Sequence, residues 1–103
     1  MKHVVDTSEV LGSVETPEGT CELCASAEAN FDEAAGHLLV KVEAFLRPAG
    51  LLIKERHFRA AWLPASETIN ESVAREECHD VAHEVFHRWV RKVREAAPHL
   101  RHV

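Results

Sequence analysis

Between Asn70 and Pro98 the apolar residues Val73, Ala74, Cys78, Val81, Ala82, Val85, Phe86, Trp89, Val93 and Ala96 recur three and four positions apart. That period belongs to an amphipathic helix and to no strand. Ser66, Thr68 and Asn70 are all competent N-caps ahead of it. Arg88, Arg91, Lys92 and Arg94 load the last turns, where cations favour the helix dipole, and Pro98 ends the run. The spacing predicts a helix of roughly 28 residues, about 40 Å long. That is long for a small domain, so part of the helix surface is expected to serve a partner.

The remaining elements are read from weaker signals. Val4, Val5, Val10, Leu11 and Val14 lie among polar residues, and Gly12, Pro17 and Gly19 interrupt them. Residues 1–19 therefore read as an extended N-terminal segment, either two short strands or one irregular one. Thr20 is a good N-cap, and Cys24, Ala27, Phe31, Ala34, Ala35, Leu38, Val42, Phe45 and Leu46 follow helical spacing up to Pro48. This predicts a second long helix, with Gly36 inside it at a cost of about 1 kcal/mol. Leu51 to Leu63 is ambiguous: its first part reads as extended, while Leu51, Phe58 and Trp62 share a helical side. The expected fold is α+β, with two long helices packed on a small antiparallel sheet. An all-α three-helix bundle is the alternative. Residues 20–103 would form a helical core and, with residues 1–19, a single domain, as the length of 103 residues suggests.

Composition narrows the function. The net charge of −5 with neutral histidines disfavours nucleic acid as a partner. No apolar run approaches a membrane span, and no signal peptide is visible, so a cytoplasmic location is expected. Three cysteines argue against a disulfide framework. No glycine-rich phosphate loop and no nucleophile elbow is present.

Two groups of residues carry candidate chemistry. His79, His83 and His87 recur every four residues, each preceded three positions earlier by a carboxylate: Glu76, Asp80 and Glu84. On a helix such residues are neighbours. A pair of histidines four apart can chelate Zn²⁺, Cu²⁺ or Ni²⁺. Successive steps of four advance about 40° around the axis, so the stripe slants along the edge of the apolar face. There a second element can add ligands. A solvated flank and a pH-sensitive interface are the competing readings. The second group is Cys21-Glu22-Leu23-Cys24, half of a zinc site or a redox pair. His37 follows Cys24 at a spacing like that of a zinc finger, but no second histidine follows within the expected window.

Val4-Val5-Asp6-Thr7-Ser8, an apolar strand ending in Asp-Thr-Ser, resembles the opening of PIN-domain ribonucleases. The resemblance implies a Mg²⁺ ligand at Asp6. It covers Val4 to Ser8 alone, and the further acids that family needs are not placed in this sequence. The reading carried forward is a small non-enzymatic binding or regulatory module, working through the His-rich C-terminal helix on a protein partner or a second copy. A zinc-stabilised adaptor built on Cys21 and Cys24, and a small metal-dependent hydrolase or nuclease, are the alternatives.

Overall fold

The computed structural model describes residues 2–47, 54–62 and 70–100, the segment 54–62 through its backbone. It contains four strands: β1 (Lys2–Thr16), β2 (Gly19–Asp32), β3 (His37–Arg47) and β4 (Lys54–Trp62). One helix follows, α1 (Glu71–Ala96), closed by a 3₁₀ turn at Ala97–His99. The strands form one antiparallel sheet in the order β1-β2-β3-β4, each paired with its neighbour in sequence.

The expected pair of long helices on a small sheet does not form, and neither does the all-helical bundle. Residues 20–46, expected as a helix, make the central hairpin of the sheet. The physical reason is a period of two that the helical reading passed over. Cys21, Leu23, Ala25, Ala27 and Ala29 on β2 are buried, as are Leu38, Val40, Val42, Ala44 and Leu46 on β3. Alternate residues of a strand share a face, and register sets Leu23 against Leu46, Ala27 against Val42 and Ala29 against Val40. These ten residues form a continuous apolar floor. Cys24 and Phe45, which the helical reading placed on the apolar stripe, pair with each other on the opposite face. Ala34 and Ala35 lie in the turn, where their N–H groups donate to Asp32 Oδ1 at 3.1 and 3.2 Å. Gly36 completes that turn at φ +70°, a conformation that side chains disfavour. The glycine that looked like a helix defect is the hairpin corner.

The extended reading of the N-terminus corresponds to β1, a single irregular strand. Its register against β2 shifts between His3 and Val5 and again between Val10 and Gly12. Each shift inserts one residue, a bulge that bends an edge strand. Asp6 lies mid-strand opposite Glu28, since β1 runs on through Thr7 and Ser8. The strand end implied by the PIN-domain resemblance is therefore absent. Of the ambiguous segment, Lys54–Trp62 is strand, while Leu51, Leu52, Ile53 and Leu63 lie outside the described residues.

The last element forms where its caps and period place it. Asn70 is the N-cap, with its Oδ1 accepting from Val73 N–H at 2.9 Å. Ser66 and Thr68 lie outside the described residues. Ala74, Cys78, Val81, Ala82, Val85, Trp89 and Val93 are buried along one stripe. They pack on the floor formed by β1, β2 and β3. Small residues beneath the helix (Ala25, Ala27, Ala29 and Ala44) let it approach the sheet closely. The opposite face of the sheet carries polar residues such as Ser26, Glu28, Lys41 and Glu43, as an antiparallel sheet wet on one side should.

Candidate metal centre

The helix positions two histidines and the edge strand brings an acid to them. On β1, residues with the parity of Val5 face the helix before the second bulge, so Val5, Thr7 and Glu9 all point inward. Register confirms it, pairing them with Ala29, Ala27 and Ala25. Thr7 meets the buried Cys78; burial raises the thiol's pKa, and the hydrogen bond with Thr7 draws it back in part. Glu9 lies further toward the seam between strand and helix, with 28% of its side chain exposed.

His79 Nδ1 lies 2.8 Å from Glu9 Oε1 and donates to it. His83 Nε2 lies 3.5 Å from Glu9 Oε2. The two imidazole centroids are 4.2 Å apart and tilted by 49°. One ligand atom from each of Glu9, His79 and His83 falls within 4.8 Å of the other two. Around a tetrahedral ion with bonds of about 2.0–2.2 Å, ligand atoms stand about 3.4 Å apart. The imidazoles are half exposed, and among the described residues Glu9 is held by His79 and His83 alone, so side-chain rotation has room to draw the three ligand atoms together. The hydrogen bond to Glu9 and its negative charge raise the His79 pKa above its usual 6.5, and Asp80 adds to this.

His87 does not join the group. The stripe turns about 40° at each step, so it leaves β1 behind by the third histidine. His87 is exposed beside the Phe86 ring, 6.3 Å between centroids, and lines a groove with Arg88, Arg91 and Lys92. The carboxylate shared by His79 and His83 comes from β1 and not from the acids three residues before each histidine. Sequence reasoning missed Glu9. Its signal was the alternation Val5, Thr7, Glu9, which puts a charge on the inner side of an edge strand.

The cysteine group is dispersed. Both thiols were expected near a helix start, but they sit on β2 at an odd separation and so on opposite faces. Cys21 is buried toward the helix, with its Sγ 3.7 Å from Thr16 Oγ1. Cys24 is buried on the outer face, between its register partners Val10 and Phe45, and that burial raises its pKa. His37 opens β3, opposite Asp32. Eight strand steps separate it from Phe45, the register partner of Cys24, about 26 Å. All three cysteines are free thiols.

No protein-family model, no curated protein and no solved structure matches the chain. Among the described residues, no helix is long and apolar enough to cross a membrane. Any functional reading therefore stands on the site itself.

Proposed function

We propose that the protein is a small non-enzymatic binding module that takes up a divalent transition-metal ion at the seam between β1 and α1. The working surface is the histidine-bearing edge of α1. One observation carries the reading: Glu9, His79 and His83 offer three ligand atoms within 4.8 Å from two elements far apart in sequence. Imidazole and carboxylate together suit Zn²⁺, Cu²⁺ or Ni²⁺ better than Mg²⁺ or Ca²⁺, which prefer oxygen alone. The three buried, unbridged thiols suit a reducing compartment such as the cytoplasm.

The test is zinc binding by untagged protein, read by elemental mass spectrometry and by competition with a chromophoric chelator. We expect one zinc per chain. His83→Ala should weaken binding at least a hundredfold and Glu9→Gln about tenfold, while Cys21→Ser should leave it unchanged. Absence of zinc binding, or binding indifferent to His83→Ala, overturns the reading. Loss of zinc in Cys21→Ser would restore the adaptor alternative. Two histidines and a carboxylate are also the donors of hydrolytic zinc sites. Multiple turnovers of an ester or phosphodiester by the zinc-loaded protein, absent in His83→Ala, would make the module an enzyme.

A further inference from the structure

The helix dipole accounts for a cation only in the last turn of α1, where Arg94 lies. Arg88 and Arg91 stand further back along the helix. Each has an acid at a spacing that favours a helical ion pair: Glu84 four residues before Arg88, and Glu95 four residues after Arg91. Yet neither arginine forms an ion pair among the described residues, whereas Arg47 pairs with Glu22 and Arg75 with Glu71. Both instead line a groove of about 350 Å³ with His87 and Lys92. Lys92 already has an interaction within the chain. The groove is therefore built around two unpaired guanidinium groups and the exposed His87 imidazole.

At about 100° per residue, Arg88 and Arg91 stand about 80–180° around the helix axis from His79 and His83. The groove thus lies on a different flank from the metal seam. His87 and Arg91 are four apart, and Arg88 and Arg91 three apart, so the three side chains meet over one turn. A guanidinium offers a planar fork of N–H donors that fits two oxygens of one phosphate, and it stays charged at any ordinary pH. An imidazole adds an N–H donor in either charge state. Donors from three sides suit a tetrahedral oxyanion. The groove's volume falls in the range of small-molecule sites, about 300–1,000 Å³, so it has room for more than the phosphate. The stretch from His87 to Lys92 covers about 7.5 Å of helix, and Glu84 and Glu95 bracket it on the same flank. An extended polyanion such as a nucleic acid would run off the cations onto these acids, on a chain whose net charge is already −5. A compact ligand with one phosphate would not.

We propose that this groove binds the phosphate group of a small phosphate monoester, with Arg88 and Arg91 holding the phosphate oxygens and His87 donating beside them. The site is separate from the metal seam and does not depend on it. Exposed charge pairs are weak and screened by salt, so the dissociation constant should be on the order of 1 mM and should rise with ionic strength.

The experiment is an NMR titration of the untagged full chain at constant ionic strength, in chelator so that no metal can hold the phosphate. Glycerol 3-phosphate and inorganic phosphate are the probes. The expected result is a saturable shift of the Arg88 and Arg91 side-chain N–H signals with both. Arg88→Gln and Arg91→Gln should each weaken binding at least tenfold. Arg88→Lys keeps the charge but loses the fork, so it should weaken binding as well. Arg94→Gln lies outside the groove and should bind like the parent chain. All three positions are exposed, so the variants should keep the fold. Shifts that stay linear with phosphate, or that Arg94→Gln reduces as much as Arg88→Gln does, mark general charge screening and overturn the proposal. Inorganic phosphate that binds while the ester is excluded overturns it too. So does a single-stranded oligonucleotide that binds at least a hundredfold tighter than the ester, which would make the patch a nucleic-acid surface.

Discussion

Glu9 decides what the histidines of α1 can do. Because it raises the His79 pKa, the folded protein binds that proton more tightly than the unfolded chain does. The resulting stability is whole below about pH 6.5, the unfolded value. It fades as pH rises through the higher folded value. The His79 imidazole signal followed by NMR should therefore titrate above 6.5, and Glu9→Gln should bring its midpoint down. Zinc competes for the same nitrogens, so its apparent affinity should fall as pH is lowered through this range. The thiols give a second prediction at this scale. Cys78 and Cys24 have pKa values raised by burial, and Cys21 is 2% exposed. A thiol reagent at pH 8 should label all three only as fast as the protein opens, and at once in denaturant. The histidines were legible in the sequence because helical spacing is local. Glu9 was not, because its meeting with His79 depends on two bulges in β1 and a register that joins residues 70 apart.

The elements differ in how plainly the sequence declares them. α1 has a cap, a sustained period and a proline stop that all agree, and it forms where they place it. Asn70→Ala should cost about 1 kcal/mol through loss of the cap. Trp89→Ala should cost about 3–5 kcal/mol, since the indole is 1% exposed against the sheet. Both are read from denaturant midpoints. β2 and β3 misled because they are rich in Ala, Glu and Leu, which are comfortable in helices, so residues 20–46 satisfied both periods at once. Tertiary demand settled the choice. The apolar stripe of a long amphipathic helix needs a flat floor, and alternation at Cys21–Ala29 and Leu38–Leu46 supplies one that a narrow helical stripe cannot. The same argument predicts overpacking. Ala27→Leu, under the helix, should destabilise by about 1–3 kcal/mol. Ser26→Thr, one residue away on the wet face, should shift stability by less than about 0.5 kcal/mol.

For the whole molecule, each strand connection joins sequence neighbours, while α1 folds back over β1 from the far end of the chain. That closure has a kinetic consequence. Short hairpins close at small entropic cost and long loops at a larger one, so the expected order is hairpins of the sheet first and docking of the helix on β1 afterwards. Contacts made after the rate-limiting barrier govern how fast a protein comes apart, and contacts made before it govern how fast it forms. Changes at the β1–α1 seam should therefore leave the refolding limb of a chevron nearly untouched and steepen loss of the native state. Gly36→Ala, at the hairpin corner, should slow refolding instead. An ion bound at Glu9, His79 and His83 would accordingly lengthen the lifetime of the folded chain more than it would hasten its arrival.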